Sequence, residues 1–287
     1  MKDYYPKIEH DETGYWYWDA PSIGQHYTKD GFVDKAMCCP YIPINFIPLD
    51  AKIDKNGVKF TVRTSEIIKR RIKTQGAPFA ASDNISDFIK FEEFKDLEDE
   101  LTHKFEGVLD SLIIDLEDPN SKETPRRLAK MFLYELFEGR YQKKPDITTF
   151  PNSDKPYTGM IVIRAEIKSL CAHHWQPISG TAYIGIIPNG NVMGLSKYIR
   201  LAQWVARRGT LQEELCNTIA DEISNATTSQ HVGVYIAAEH GCCTNRGVNA
   251  HSVLIQTTVL RGHFDTPDVK KEFFDNIQLQ EAHSKTR

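Results

Sequence analysis

The sequence predicts an α+β fold in which two helices lie on one face of an antiparallel four-stranded sheet. The prediction rests on the order of patterns in the second half of the 287-residue chain, where two strand patterns, two helical patterns and two more strand patterns follow one another. Strand patterns have apolar residues at every second position, and helical patterns have them three or four positions apart. Two further helical patterns precede this unit.

The first 90 residues differ from the rest of the chain. Aromatic residues cluster at 15–18, and a hairpin is predicted from strands at 42–47 and 58–62, with Asn56-Gly57 as the turn signal. Disordered segments are poor in aromatic residues. We therefore expect an adhering arm or a small subdomain, and no motif in it indicates a function.

Two helical patterns occupy the next segment. Six apolar residues fall on one helical face: Phe94, Leu97, Leu101, Phe105, Val108 and Leu112. This helix is expected to end before Asp118-Pro119-Asn120. A second helix is predicted to begin with Thr124 as N-cap and Pro125 at the first helical position, and to end at Gly139.

The two-helix, four-strand unit follows. One face of its first strand is formed by alternate apolar residues: Ile161, Ile163, Ala165 and Ile167. The predicted elements are, in order, strands at 161–168 and 181–187, helices at 196–208 and 211–225, and strands at 232–238 and 252–260. Gly209 separates the two helices.

Composition narrows the classes of function. The formal net charge of −4 argues against broad nucleic-acid binding, which usually leaves a basic surface. No apolar run approaches the ~18 residues of a membrane span, and the first residues carry neither the apolar core nor the cleavage site of a secretory signal. The six cysteines indicate metal binding and free thiols in a reducing compartment, so a cytoplasmic location is expected.

Two short motifs carry the strongest chemical signal. Cys171-Ala172-His173-His174 follows the first strand of the unit, and His240-Gly241-Cys242-Cys243 follows the third. Thiolates and imidazoles are the ligands that zinc prefers. Loops at strand ends commonly carry functional residues on a rigid scaffold. Both strand ends can meet at one rim of the predicted sheet, so the sequence predicts a metal site there.

The number of donors indicates a catalytic site. Three protein ligands with a position left for water make a catalytic zinc site, whereas four make a structural one. Cys171, His174 and Cys242 can bind the metal and leave His173 and His240 free for proton transfer. The alternatives are a closed structural zinc site, or core histidines with inert buried cysteines.

Cationic residues near these motifs could hold a polyphosphate. The helix that opens at Ser196 offers free backbone N–H groups to an anion. The basic candidates are Arg127, Lys130, Lys197, Arg200 and Arg246. Taken singly, each is better explained as a solvated surface cation.

Gln212 and Glu213 stand at the start of the second helix of the unit. A carboxylate at this place can accept hydrogen bonds from N1–H and from the exocyclic amine of guanine. An exposed glutamate in a first helical turn is also favoured by the helix dipole alone. Without other information, the dipole is the simpler explanation.

Several of these runs resemble one enzyme family. The runs CAHHWQPISG, GLSKYIRLAQWVARRGTLQEEL and EHGCCTNRG, with ETPRRLAKMF upstream, resemble GTP cyclohydrolase I of the zinc-dependent type I over roughly residues 92–275. The resemblance implies the tunnelling fold, in which two-helix, four-strand units assemble into a ring. That ring is typically a homodecamer of two stacked pentamers with active sites at subunit interfaces.

The resemblance also implies a division of the chain and an activity. The division is an N-terminal extension at 1–90, a helical segment at 91–150, a tunnelling-fold catalytic domain at 151–275 and a C-terminal tail at 276–287. The activity is hydrolysis of GTP to 7,8-dihydroneopterin triphosphate with release of formate. The product could serve folate, biopterin or 7-deazaguanine synthesis.

Catalytic roles are implied by motif position. Cys171, His174 and Cys242 would hold Zn²⁺, whose water would attack C8 of guanine. His240 would protonate the imidazole ring, and His173 would act on the ribose ring oxygen and in later proton transfers. Ser196 would assist the sugar rearrangement.

Substrate-binding roles are implied in the same way. Glu213, with Gln212 beside it, would anchor the guanine. The triphosphate would be held by Arg127, Lys130, Lys197, Arg200 and Arg246.

The chain departs from the family pattern at two positions. Ala172 stands where the family usually has glutamate, and Cys243 stands where it usually has an apolar residue. One alternative is a catalytically silent ring of the same fold that binds a nucleotide, but the complete ligand set, both free histidines and Glu213 argue against it. A related nitrile reductase of the same fold uses a cysteine nucleophile without this metal motif, so it fits poorly.

Overall fold

The computed structural model describes residues 7–10, 16–19, 26–27, 49–54, 57–153, 156–250 and 253–285. The chain falls into two compact units that meet in sequence between Arg71 and Ile72. The second unit contains the predicted two-helix, four-strand core, so the α+β fold class is confirmed. Among the described residues, no helix is both long enough and apolar enough to cross a membrane.

The first unit holds two small antiparallel sheets. β1 (Lys7–His10), β2 (Trp16–Asp19) and β3 (His26–Tyr27) form one of them, in that order. β4 (Leu49–Asp54) and β5 (Gly57–Val62) form the other. Helix α1 (Thr64–Thr74) follows β5.

The β4–β5 hairpin corrects one prediction. β5 confirms the strand predicted at 58–62, but its partner is Leu49–Asp54. The partner predicted at 42–47 lies outside the described residues. Asp54 pairs with Gly57, which leaves two residues for the turn. A two-residue hairpin turn requires the partner strand to end at residue 54.

Helix α2 (Glu93–Ser111) confirms the first helical pattern, but two residues of the predicted face near its C-terminal end are exposed. Leu97 and Leu109 are buried, whereas Val108 and Leu112 are 50% and 65% exposed. The predicted apolar face is therefore buried only along the first part of the helix. Periodicity shows which residues share a face but does not show how far a neighbouring element covers that face.

The second helical pattern forms three consecutive pieces. α3 (Thr124–Lys130) continues as a π-helical segment (Met131–Leu136), and α4 (Glu138–Tyr141) follows. Thr124 was predicted as the N-cap, but Glu123 holds that position and no side chain caps the helix. Gly139 was predicted to end the helix and instead lies inside α4. A Cβ atom there would lie 1.8 Å from the carbonyl oxygen of Trp204, so packing requires the glycine.

A loop at residues 79–84 is fastened to α4. The Arg140 guanidinium donates hydrogen bonds to backbone carbonyls of this loop, including those of Phe79 (3.1 Å) and Asp83 (3.0 Å). Asn84 donates in the other direction, to the carbonyls of Gly139 (2.9 Å) and Gln142 (2.7 Å). Truncation at residue 90 would remove one side of this set of hydrogen bonds.

The central sheet contains β7 (Ile161–Leu170), β8 (Pro177–Ile186), β10 (Val232–His240) and β11 (Leu254–Leu260). Their order in the sheet is β11-β10-β8-β7, and all the strand pairs are antiparallel. β6 (Thr149–Pro151) and β9 (Asn191–Met193) form a separate ribbon. In β7 the side chains of Ile163, Ala165 and Ile167 are buried, which confirms the predicted alternation.

Two helices pack on one face of this sheet, as predicted. They are α5 (Leu195–Ala206) and α6 (Gln212–Thr227), whose apolar residues share one core with those of β7, β8 and β10. Gly209 lies between the two helices with φ +71°, a conformation that favours glycine. The predicted hinge therefore has a conformational reason.

The opposite face of the sheet carries a helix that was not predicted. α8 (Pro267–Lys285) and the turn before it place Phe264 and Phe273 against β8 and β10. A Cβ atom at Gly185 or Gly233 would lie 2.5–2.6 Å from the Phe264 ring, so both strands need glycine at that point. The segment from 276 to 285, predicted as a tail, is helical.

Candidate metal centre and its surroundings

The first metal motif forms a tight turn between β7 and β8. The backbone N–H of Cys171 donates to the carbonyl of Gln176 (2.9 Å), and the N–H of Trp175 donates to the carbonyl of Cys171 (2.9 Å). Trp175 has φ +51°, which is unusual for a bulky residue. The turn holds Cys171 buried at its base and leaves His173 and His174 exposed.

Strand pairing brings the second motif to the same edge of the sheet. Ile178 of β8 lies opposite Ser169 of β7 and also opposite His240 of β10. β10 therefore ends where the turn from β7 to β8 begins. After His240 the chain forms the short helix α7 (Gly241–Thr244), which carries Cys242.

The three predicted ligands converge. The donor atoms of Cys171, His174 and Cys242 all lie within 4.8 Å of one another. A tetrahedral zinc ion bound at its usual distances from sulfur and nitrogen needs donor atoms roughly 3.5–4 Å apart. Small side-chain movements would therefore complete the site. Two sulfur donors and one nitrogen donor also match the ligand types that zinc prefers.

The neighbouring Cys and His residues lie outside this group of three. The Sγ atoms of Cys242 and Cys243 are 4.0 Å apart, but Cys243 does not join the convergent set. Burial raises the pKa of Cys242 to about 11, and the neighbouring thiols of Cys171 and Cys243 act in the same direction. The His173 ring lies edge-on to that of His174, with centroids 6.2 Å apart.

An aromatic cluster supports the metal-binding turn, and the sequence analysis did not identify it. The Trp175 ring contacts Phe132 and Phe137, at centroid distances of 5.2 and 5.7 Å. Phe132 also contacts Phe105 of α2, at 5.5 Å. Phe137 packs on Gly209, whose Cβ position would lie 2.4 Å from its ring. We refer to Trp175, Phe132, Phe137 and Phe105 as the aromatic cluster.

His240 is buried and held by Gln212. Its side chain is 8% exposed, and its Nε2 lies 2.6 Å from Oε1 of Gln212. Burial lowers the pKa of His240, and the nearby Glu213 carboxylate acts in the opposite direction. Gln212 is itself 2% exposed, whereas Glu213 is exposed. The two adjacent residues therefore point into different environments.

The predicted phosphate ligands lie on three segments. Arg127 and Lys130 are exposed on α3, Lys197 and Arg200 lie in the first two turns of α5, and Arg246 is exposed after α7. Ser196 is exposed beside Lys197. Within the described parts of the chain, none of these five cations forms a salt bridge with an acidic side chain. Their charges are therefore available to an anion.

Comparison with known proteins agrees with this geometry. The family model for GTP cyclohydrolase I matches residues 101–278. The protein named GTP cyclohydrolase 1 from Flavobacterium johnsoniae is 37% identical over 175 residues, which cover 61% of this chain and 78% of that protein. Proteins of the same name from Aeromonas salmonicida and Hahella chejuensis are 36% and 32% identical, covering 61% and 64% of this chain and 83% and 98% of theirs. The chain belongs to the GTP cyclohydrolase I family.

Proposed function

We propose that this chain hydrolyses GTP to 7,8-dihydroneopterin triphosphate and formate at a zinc site formed by Cys171, His174 and Cys242. The observation that carries the proposal is the convergence of these three donors, within 4.8 Å, at the sheet edge where β10 also ends in His240. Membership of the family makes GTP the expected substrate. In such a site zinc supplies Lewis acidity and lowers the pKa of a water molecule in the open position.

The free histidines handle protons in this proposal. His240 gives a proton to a ring nitrogen of the guanine imidazole, which allows the ring to open at C8. Its position at the end of β10, beside the metal ligands, supports this role. His173 is exposed at the tip of the metal-binding turn and acts on the ribose ring oxygen and in later proton transfers. Ser196, exposed at the start of α5, assists the sugar rearrangement.

The remaining residues bind substrate. The exposed carboxylate of Glu213 accepts hydrogen bonds from N1–H and from the amine of guanine. Gln212 contributes its backbone next to Glu213 rather than its side chain, because that side chain is buried. The triphosphate is held by the five cations that form no salt bridge within the described residues: Arg127, Lys130, Lys197, Arg200 and Arg246.

We also propose that the chain forms a homo-oligomeric ring, as the family resemblance implies. Two observations support assembly. Among the described residues, the outer strands β7 and β11 each pair with only one neighbour in the central sheet, and exposed sheet edges readily pair with another chain. Apolar residues at the end of α2, including Val108, Leu112 and Ile113, are also exposed.

The four described cysteines are free thiols, which supports a reducing compartment such as the cytoplasm.

The proposal is tested by incubating the zinc-loaded protein with GTP. Formate should appear together with a pterin that fluoresces after oxidation, in a ratio of one to one. His174→Ala should abolish both products, because a metal ligand is lost. Tight GTP binding by the zinc-loaded protein without either product would instead support the alternative, a catalytically silent nucleotide-binding ring.

A further inference from the structure

Gln212 forms a buried network at the point where α6 meets β10 and β11. Its Nε2 lies 3.1 Å from the carbonyl oxygen of Ile255, 3.1 Å from Oγ1 of Thr257 and 3.4 Å from the carbonyl oxygen of Ile236. Its Oε1 lies 2.6 Å from Nε2 of His240. Both ends of the amide are therefore engaged by the protein.

This network allows only one orientation of the amide. A backbone carbonyl oxygen can only accept a hydrogen bond, so the amide atom that faces Ile255 and Ile236 must be the NH₂ group. A flipped amide would place Oε1 against two carbonyl oxygens, and burial would make that contact costly. Oε1 must then face His240.

The orientation of the amide determines which His240 nitrogen carries hydrogen. An amide oxygen accepts but cannot donate, so Nε2 of His240 must be the donor in the 2.6 Å hydrogen bond. Nδ1 is then the only ring nitrogen that can exchange a proton with a substrate. Hydrogen bonds of this kind fix the tautomer and ring orientation of functional histidines.

We propose that Gln212 is a positioning residue, which accepts a hydrogen bond from Nε2–H of His240 and leaves Nδ1 to face the substrate. The proton that His240 donates is the one on Nδ1 of its imidazolium form, and Nε2 keeps its own proton. The proposal rests on the proposed function in that His240 is taken as the proton donor. It also separates two neighbours: Gln212 acts inward on His240, and Glu213 acts outward on the guanine. A residue that positions an acid affects turnover, whereas a residue that anchors the guanine affects substrate binding.

The kinetic test uses Gln212→Met, which removes the amide and keeps the length of the side chain. We expect kcat to fall about 10- to 100-fold, with KM for GTP within about threefold of wild type. Thr218→Ala is the matched control on α6, because the only hydrogen bond of the Thr218 hydroxyl among the described residues goes to a carbonyl of its own helix (Glu214, 2.8 Å). A rise in KM with unchanged kcat would overturn the proposal.

A double-mutant cycle excludes a merely structural role. Once His240→Ala has removed the imidazole, adding Gln212→Met should lower kcat by less than about twofold. If Gln212→Met lowered kcat by the same factor with and without the His240 imidazole, the positioning role would be contradicted. If Gln212→Met does not fold, Thr257→Val removes one acceptor from the network. This variant should lower kcat severalfold without raising KM, and unchanged kcat would overturn the proposal.

A spectroscopic arm does not depend on activity. Solid-state ¹⁵N NMR of histidine-labelled protein, with His240 assigned from the signal missing in His240→Ala, should show Nε2 protonated in the wild type. Gln212→Met should lose that preference. An unprotonated Nε2 in the wild type would overturn the proposal even if the chain converts GTP, and the expected spectrum would support it even if the proposed function failed.

Discussion

Trp175 should control how tightly the metal-binding turn is held. Its side chain is 53% exposed, so roughly 120 Å² is buried against the aromatic cluster, which corresponds to about 3 kcal/mol. Trp175→Ala should lose this contribution. Trp175→Gly should recover about 1 kcal/mol of it, because φ is +51° and glycine adopts that conformation without strain. The usual preference for alanine over glycine should therefore be reversed.

The assay is metal affinity measured by competition with a chromophoric chelator. Because the turn carries Cys171 and His174, loss of its support should raise the Kd for zinc, by up to about 100-fold for Trp175→Ala and about 20- to 30-fold for Trp175→Gly. Trp175→Phe should stay within about fivefold of wild type. Phe150→Ala is the control, since Phe150 is also 53% exposed but lies in β6. The reasoning would be refuted if all the variants bound zinc with equal affinity, or if Trp175→Ala bound zinc more tightly than Trp175→Gly.

Three further predictions concern single side chains. Arg200→Ala should raise KM for GTP roughly ten- to a hundredfold, because one charge-assisted phosphate contact is lost, with zinc content unchanged; an unchanged KM in steady-state kinetics would remove Arg200 from the phosphate site. Metal analysis should find zinc in Cys243→Ser and none in Cys242→Ser, since only Cys242 belongs to the convergent donors; the reverse result would exchange the two assignments. Burial lowers the pKa of His231 below its usual value of 6.5, and the stacked ring of His263 acts in the same direction with a smaller effect. Protonation of His231 therefore favours the unfolded chain as pH falls below about 6.5. Between pH 7.5 and 5.5, Tm should drop less in His231→Asn than in the wild type. Equal drops in Tm would show that His231 does not contribute to this pH dependence.

The elements with regular patterns were predictable because their burial follows local sequence. The alternation in β7 identifies the side of the strand that packs in the core, and the apolar faces of α5 and α6 do the same for the helices. The structure confirms these assignments. Helix α8 was missed because its packing surface includes Gly185 and Gly233. Nothing in the sequence pattern of a strand indicates that its glycines make room for aromatic rings.

The candidate site was predictable to a different degree. Donor type and spacing were sufficient to identify Cys171, His174 and Cys242 as a convergent set, because zinc accepts few combinations of ligands. The role of Gln212 was not predictable. Its hydrogen bond to His240 joins residues 28 positions apart and depends on the burial of the first turn of α6, which sequence does not show.

The aromatic cluster escaped prediction for a related reason. Phe132 and Phe137 belong to a segment that reads as one helix, and the π-helical turn between Met131 and Leu136 changes where their side chains point. Trp175 directly follows the metal motif, and nothing in the sequence around it indicates which rings it contacts. Their contact depends on a turn conformation with positive φ, which non-glycine residues seldom adopt.

The most direct test of the account is a zinc titration of the metal-free protein in the presence of GTP. Formate release should be absent without zinc and should rise in proportion to added zinc. It should reach its maximum at one zinc per chain, because one set of Cys171, His174 and Cys242 converges in each chain. Full formate release from the metal-free protein, or a maximum at two zinc ions per chain, would contradict the account.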